Sequence, residues 1–381
     1  SINGLASTFC LNDPAVTLNG SAQLGDGSGP AMGVGTFTVN GVPRTVFDPA
    51  VQGVGTHTVT FSFEAADGVP NGSHPGCIQA VSQSVLVNPV PTVNPVTSTS
   101  YCVAQTSPQI TFTGTPATGV IYNWTRTPEA IGLAPTSGSG FVPSFVTTNA
   151  GTTPLTSTFT VTPSFTSGAR TCTGTPITFT ITVNPTPTVN AVADVQYCHG
   201  DVTAVITFTG STPGATYIWT RTPELIGLAA LNGTNSVPSF TTTNPSAVRI
   251  TSTFTVTPSY SDGRITCFGA PITFRISVLP QPVARCKNAT LYLDKNGFAT
   301  LTVPDIDNGS TARTLSLSKT SFDCGNVGSN TVTLFARDSC MKTSTCTATV
   351  TVLDTIRPTM FCPSDLTINL DPGECDRAVQ F

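Results

Sequence analysis

The cysteines are the residues of this chain whose chemistry is easiest to place. There are twelve of them, against only three histidines (His57, His74 and His199) scattered far apart, and no two cysteines stand in a CxxC pair. Zinc sites need close sulfur or imidazole ligands, so the pattern points to disulfides and to an oxidising compartment. In four successive stretches one cysteine stands ahead of the first predicted strand and another opens the last. If the first and last strands of a sandwich run parallel as neighbours, their starting ends meet within bridging range. The spacing therefore predicts Cys10 with Cys77, Cys102 with Cys172, Cys198 with Cys267 and Cys286 with Cys346. Each bridge would close a loop worth roughly 4 kcal/mol by the loop-entropy model. Cys324 and Cys340 are left for each other. Cys362 and Cys375 are expected to pair with residues beyond Phe381.

Other chemistry is sparse. The chain has no HExxH, GxSxG, P-loop or GxGxxG. Arg126 with Glu129, and Arg221 with Glu224, resemble an acid and its partner, but neither glutamate has a second acid nearby in sequence, so loop salt bridges are expected. Asp305, Asp307 and Asn308 carry calcium-type oxygens, yet the run Asp-Ile-Asp-Asn-Gly is also rich in turn formers. No metal, cofactor or catalytic residue is assigned, and the chain is read as not an enzyme. All four lysines (Lys287, Lys295, Lys319 and Lys342) lie late in the chain, so Lys–Asn isopeptide braces are closed to its first three-quarters.

The elements that carry the cysteines repeat. Trp124-Thr-Arg-Thr-Pro-Glu, Val142-Pro-Ser-Phe, Ser157-Thr-Phe-Thr-Val-Thr-Pro-Ser and Cys172 all return 95 residues later, as Trp219, Val237, Ser252 and Cys267. Tyr101-Cys102 returns as Tyr197-Cys198. A period near 95 is too long for a solenoid repeat and suits a small domain. In Thr158-Phe-Thr-Val-Thr the apolar residues face one side and the threonines the other, the period of a half-buried strand. Thr56–Phe63, Ile78–Val87, Gln109–Thr113, Val120–Arg126, Ser157–Pro163 and Ile177–Val183 read the same way. Asp67-Gly68 and Asn71-Gly72 are turn signals. Leu291–Val303 reads as a hairpin turning at Asp294–Gly297, and Asn330–Arg337 with Thr345–Leu353 as another. Short strands with Gly and Pro turns predict an all-β chain of tandem immunoglobulin-like sandwiches in an elongated rod. The expected division is 1–88, 89–185, 186–279, 280–353 and the start of a further module at 354–381. Trp124 and Trp219, in apolar strands, are expected in the cores.

Composition narrows the function. Only 9% of residues are charged and the net charge is −4, so the basic footprint of a nucleic-acid binder is missing. Hydrophobic content of 39% suits folded modules. No apolar run is long enough to span a membrane. With disulfides expected and no signal peptide at Ser1, the chain is read as a piece of a longer exported precursor. Each sandwich runs into a proline joint: Val87-Asn-Pro-Val-Pro, Val183-Asn-Pro-Thr-Pro, Val278-Leu-Pro-Gln-Pro and Val352-Leu-Asp-Thr-Ile-Arg-Pro. Proline lacks an N–H and fixes φ, so it ends the ladder and stiffens the connection. Each module should add roughly 40 Å to the rod.

Several stretches carry a family resemblance. Gly4-Leu-Ala-Ser-Thr-Phe-Cys-Leu-Asn-Asp-Pro, with Phe47-Asp-Pro-Ala and Gly53-Val-Gly-Thr-His-Thr-Val-Thr-Phe, resembles the immunoglobulin-like repeats of very large surface proteins of gliding flavobacteria. The duplicated stretch is similar to their PKD-like repeats. Cys286-Lys-Asn-Ala-Thr-Leu, Phe322-Asp-Cys-Gly-Asn-Val-Gly and Thr345-Cys-Thr-Ala-Thr-Val are similar to their next repeat type. Phe361-Cys-Pro-Ser-Asp-Leu-Thr-Ile with Asp371-Pro-Gly-Glu-Cys resembles the start of an HYR module. The order resembles SprB-type gliding-motility adhesins. That resemblance implies a filament exported by the type IX secretion system, held by gliding machinery in the outer membrane and gripping an external surface or polysaccharide. The family pattern has Asp-Asn-Cys after Asn-Gly-Ser; here Ser310-Thr-Ala-Arg follows Gly309, which makes Cys340 the replacement partner of Cys324. The reading from sequence is thus a disulfide-braced stalk of a cell-surface adhesin, with neighbouring modules as its first partners. The alternatives are an accessory module array, possibly glycan-binding, of a secreted polysaccharide-degrading enzyme, and a lectin-like array.

Overall fold

Alternation of threonine with apolar residues builds the long strands. In Leu155–Ser167 the buried side carries Ser157, Phe159, Val161 and Pro163, while the residues between them face outward. β-branched side chains fit such a pleated, half-buried surface. A computed structural model describes residues 1–23, 31–66, 78–362, 364–365, 367–376 and 378. Cys77 and the turn signals Asp67-Gly68 and Asn71-Gly72 lie outside the described residues.

Four units follow one another, each built on one main sheet. In the second unit the spatial order is Thr99–Cys102, Ile177–Asn184, Leu155–Ser167, Val120–Arg126 and Ser137–Ser139. The third repeats it with Val195–Cys198, Ile272–Leu279, Ile250–Ser261, Thr216–Arg221 and Asn232–Thr234. The first unit orders Thr8–Cys10, Ile78–Asn88, Gly55–Ala65, Gly33–Val39 and Val42–Pro43, and the fourth Ala289–Tyr292, Thr343–Leu353, Gly328–Arg337 and Thr314–Leu317. In every unit the first strand pairs parallel with the last, the arrangement of an immunoglobulin-like sandwich. Small ladders such as Thr106–Ser107 with Phe145–Val146 and Ile110–Thr111 with Phe141–Val142 supply the facing layer.

Between the layers of the second unit lie Trp124, Phe159, Phe179 and Ile181, and between those of the third Trp219, Phe254, Phe274 and Ile276. Both tryptophans are core residues. Each ring lies on a bare backbone, at Gly138 and Gly233, and each indole N–H donates at 2.8 Å, Trp124 to Phe141 O and Trp219 to Ser236 O. Neither ring is open to stack on a sugar.

The fourth unit departs from its expected hairpin. Asp294 and Gly297 do form a turn, but Ala289–Tyr292 joins the main sheet while Phe298–Thr300 pairs with Ser321–Asp323 in the other layer. The turn is a crossover between layers. Gly328–Arg337 and Thr343–Leu353 form the second hairpin as expected.

The proline joints are seated on the unit that follows. Thr92 N donates to Thr115 O and Asn94 N to Thr113 O, both at 2.8 Å. Val93 and Val96 pack into the second core, as Val189 and Val192 pack into the third. Gly114 and Gly174 make room: a Cβ at Gly114 would stand 1.9 Å from Thr92 O, and one at Gly174 1.8 Å from Pro91 O. Gly210 and Gly269 do the same for Thr188 and Pro187.

The accessible surface is 22148 Å². A compact monomer of 39.3 kDa would expose about 14,000 Å², and four separate 10-kDa units about 21,000 Å² in total. The units are therefore strung out and not packed into one globule.

Candidate functional site

Register decides where the sulfurs go. In the second unit Cys102 is the last residue of its strand and lies opposite Asn184, the last residue of Ile177–Asn184. Cys10 lies likewise opposite Asn88, and Cys198 opposite Leu279. The cysteine expected ahead of the first strand thus stands at that strand's far end, beside the joint to the next unit. Cys172 belongs to a short arm, Arg170–Thr173, that pairs with the end of Leu155–Ser167 and reaches back toward the preceding unit. Cys267 does the same in Thr266–Phe268. The two cysteines of one unit are separated by the length of its last strand.

The bridges therefore cross the joints. Cys10 is bonded to Cys172, Cys102 to Cys267 and Cys198 to Cys340, with Cα–Cα distances of 5.6, 5.5 and 6.3 Å. This corrects the expected pairings of Cys102 with Cys172 and of Cys198 with Cys267, and takes Cys10 away from Cys77. It also corrects Cys324 with Cys340. Cys340 sits in the turn between Gly328–Arg337 and Thr343–Leu353, facing the third unit, whereas Cys324 lies in the turn Cys324–Asn326 at the other end of the same strand. Cys324 carries no disulfide and is exposed, as are Cys362 and Cys375. Cys286 with Cys346 forms as expected, because there the first cysteine does precede its strand, Ala289–Tyr292. Tyr292, opposite Leu353, takes the place that Cys10, Cys102 and Cys198 hold in the other units.

Each of the three joint-crossing cystines is flanked by polar contacts across its joint. At the first, Arg170 Nη2 lies 2.7 Å from Asp13 Oδ1, and Asn88 Nδ2 donates to Ser167 O at 3.0 Å. At the third, Lys342 Nζ lies 3.0 Å from Asp201 Oδ1 and also donates to His199 O. The residue three places after the first cysteine of each joint accepts a hydrogen bond from that cysteine's N–H: Asp13 from Cys10, Gln105 from Cys102 and Asp201 from Cys198. At the second joint the acid is thus replaced by Gln105, and Arg264 donates to Ser98 O instead. The Asp201 carboxyl is held below the ordinary range by the Cys198 amide and then by Lys342. Burial raises the Asp262 carboxyl, but hydrogen bonds from the Ser100 hydroxyl and the Ile265 and Arg264 amides outweigh it and hold the group well below the ordinary range.

The other candidates have local duties. Arg126 is buried and its guanidinium donates to the carbonyls of Pro135, Thr127, Glu129 and Leu133. Arg221 donates to those of Ala230, Thr222, Glu224 and Leu228. The expected salt bridges to the Glu129 and Glu224 carboxylates are therefore replaced by bonds to main-chain oxygens, around which the irregular loop is wrapped. Asp305 Oδ2 accepts from Thr302 N and Oγ1, and Asp307 Oδ1 from Ser310 N. Among the described residues no group of three or more His, Cys, Asp and Glu is placed to hold a metal ion. No described helix is long and apolar enough to cross a membrane.

The sequence signal for the polar half of the joints was available, in the acid or amide three residues after Cys10, Cys102 and Cys198. The arm-borne cations were not legible, because their partners lie 157, 166 and 141 residues away.

Among solved structures, the chain is similar to mouse cadherin-23 EC22-24, at 15% identity over 70% of this chain and 99% of that one, with a TM-score of 0.35. It is similar to Sidekick-1 immunoglobulin domains 1-5, at 11% identity over 91% and 78%, with a TM-score of 0.29. The insect immune protein hemolin aligns at 10% identity over 92% and 99%, with a TM-score of 0.25. No curated protein matches. The third unit has a family assignment of its own: residues 195–282 match the model of the PKD-like domain.

Proposed function

We propose that this chain is a repeat segment of a large secreted cell-surface adhesin filament, a disulfide-braced stalk for surface attachment and gliding motility. Its modules are 1–88, 89–185, 186–279 and 280–353, with a further one starting at 354. Its partners are the neighbouring modules, an external surface or polysaccharide, and the outer-membrane gliding and type IX export machinery that the sequence resemblance implies. It acts outside the cell and performs no catalysis.

The observation that carries this reading is that the cystines cross the joints. They interlace, so the shortest covalent route from Cys10 to Cys340 skips most of the chain. It passes from Cys10 to Cys172, along the backbone to Cys198, and across to Cys340. The Cys172–Cys198 stretch holds the last strand of the second unit, the seated proline joint and the first strand of the third, both strands already extended. At about 3.5 Å per residue it can be drawn to at most roughly 90 Å. Tension along such a stalk bears on extended chain and sulfur bonds, while residues 11–171 and 199–339 are bypassed. A module array that only displays binding sites gains nothing from this arrangement.

Single-molecule pulling tests it. The oxidised chain, held at Ser1 and Leu353, should lengthen by no more than a few tens of ångströms before covalent rupture. After reduction the Cys10–Cys340 stretch should pay out toward roughly 1,100 Å in successive unfolding steps. Long unfolding steps from the oxidised chain would remove the load-bearing role.

A further inference from the structure

The second and third units commit both of their cysteines to neighbours. Cys172 is bonded to Cys10 of the first unit, Cys102 to Cys267 of the third, and Cys198 of the third to Cys340 of the fourth. Their cores contain no sulfur: the apolar clusters around Trp124 and Trp219 are closed by aromatic and aliphatic side chains. The fourth unit is the opposite case, since Cys286 and Cys346 pack against its core and are bonded to each other. Neither the second nor the third core therefore waits on a disulfide.

The fold also decides which thiols can meet. Cys102 stands opposite Asn184, at the end of Ile177–Asn184, and Cys172 lies on the arm before that strand begins. Eight residues of strand, at about 3.3 Å each, hold the two roughly 25 Å apart, far beyond the roughly 7 Å between Cα atoms that a disulfide spans. Ile272–Leu279 keeps Cys198 from Cys267 in the same way. A disordered chain has the reverse preference. About 70 residues separate Cys102 from Cys172 and Cys198 from Cys267, so by loop-closure entropy these wrong loops close about three to four times as often as the native ones, which span 165 and 142 residues. Docking of folded units removes that bias. The proline joints are seated, and Asp13–Arg170, Asn88–Ser167 and Asp201–Lys342 hold the arms against their neighbours without any sulfur.

We propose that this chain folds and docks with its joint thiols reduced, and that the docked array is then the substrate and the template of a dithiol oxidation. The oxidant is a disulfide compound of the glutathione class. The thiolate of one joint cysteine attacks it and displaces one thiol, leaving a mixed disulfide. The thiolate of the facing cysteine attacks the sulfur of the first, closing the cystine and displacing the second thiol. Two protein thiols thus give up two protons and two electrons, and the oxidant's disulfide is reduced to two thiols. Oxidation locks a shape that folding has already made. The inference rests on which sulfurs are joined and stands whatever the array grips.

The test starts from the whole chain, reduced by excess dithiol in native buffer. The indole N–H signals of Trp124 and Trp219 should keep the NMR shifts they have in the oxidised chain, and amide exchange at Phe159, Ile181, Phe254 and Ile276 should stay within about tenfold of the oxidised rates. The dithiol is then removed, oxidised glutathione is added, and linked peptides are mapped by mass spectrometry. Cys10–Cys172, Cys102–Cys267 and Cys198–Cys340 should form, with little linkage of Cys102 to Cys172 or of Cys198 to Cys267. The same oxidation in guanidinium should reverse the preference, favouring Cys102 with Cys172 and Cys198 with Cys267 about threefold over the native pairs. Loss of the indole signals on reduction would overturn the proposal, because the cystines would then be needed for folding. So would Cys102 linked mainly to Cys172 in the native reduced chain, or the native set formed directly in guanidinium. Either result would show that the fold is not the template.

Discussion

Arg170 Nη2 lies 2.7 Å from Asp13 Oδ1, across the first joint and beside the Cys10–Cys172 bridge. The arginine is half exposed and the aspartate largely covered. The third joint has its own version in Lys342 and Asp201, and the second dispenses with it: Gln105 replaces the acid and the cation moves from the position of Arg170 to that of Arg264. The bridge is common to all three joints, while the ion pair varies. That ranks them: the cystine fixes the connection, and the charges set the angle at which the arm meets its neighbour.

A double-mutant cycle on Asp13→Ala and Arg170→Ala should accordingly give a small coupling, below about 1 kcal/mol, since a partly exposed pair is screened by water and pays side-chain entropy. Denaturant unfolding of the oxidised chain measures it. A coupling above about 2 kcal/mol would mean that the ion pair, rather than the cystine, holds the joint.

Digestion without reduction, followed by mass spectrometry, should recover peptides linking Cys10 to Cys172, Cys102 to Cys267, Cys198 to Cys340 and Cys286 to Cys346. Thiol labelling of the folded chain should reach Cys324, Cys362 and Cys375. Recovery of Cys102 linked to Cys172 would return the bridges to the interior of single units and undo the interlaced path.

How far the sequence reaches is clear from Cys102. Its disulfide chemistry is legible from the repeat, and the parallel pairing of first and last strands follows from the sandwich that the alternation predicts. The error lies in which strand comes first: the sequence reading starts the unit's strands at Gln109–Thr113, after the cysteine, whereas the first strand is Thr99–Cys102 and ends on it, so the sulfur lies at the exit of the unit and not at its entrance. A four-residue strand carries too little alternation to be read from pattern, and missing it turns an external brace into an internal one. Cys286 shows the converse, since its strand starts three residues after it. Trp124 was placed correctly because a large apolar residue flanked by outward-facing polar ones has one face to bury. Arg126 was misread because a guanidinium holding four carbonyls leaves the same trace in sequence as one facing a glutamate.

Acid should loosen the later joints. The Asp201 carboxyl is depressed by the Cys198 amide and Lys342, and Asp262 is depressed despite its burial by the Ser100 hydroxyl and neighbouring amides. A carboxyl whose folded pKa lies below its unfolded value, near 3.9, contributes stability that is fully present above that value. It is lost as pH falls through the folded pKa. Melting temperature should therefore hold steady from pH 7 to about 5 and fall below about 4, and Asp201→Asn should flatten that fall. A wild-type profile unchanged down to pH 2 would show that these carboxylates are not linked to folding.

The seated joints make the sharpest demand on sequence, at Gly114 and Gly210. Neither has a left-handed φ that would call for glycine, so backbone conformation is not the reason for either residue. Space is: a Cβ at each would stand 1.9 Å from the carbonyl oxygen of Thr92 or Thr188, far inside any contact distance. Gly114→Ala must push the joint off the second unit, breaking the Thr92–Thr115 and Asn94–Thr113 bonds and withdrawing Val93 from the core. Overpacking of this kind costs about 1–3 kcal/mol, and an exposed Val93 adds to it through lost apolar burial. Gly210→Ala should cost the third unit a similar amount, because Asn190 N and Val189 are bound in the same way. Gly151→Ala is the reference, since the nearest atom to its Cβ is the Asn149 Oδ1 at 3.3 Å and no main-chain atom is in the way. Chemical denaturation should place the first two variants well below the reference, with small-angle scattering showing more bending at the affected joint. If Gly114→Ala matched Gly151→Ala in both measurements, the linker would be a loose tether, and the stiffness attributed to the joints would rest on the cystines alone.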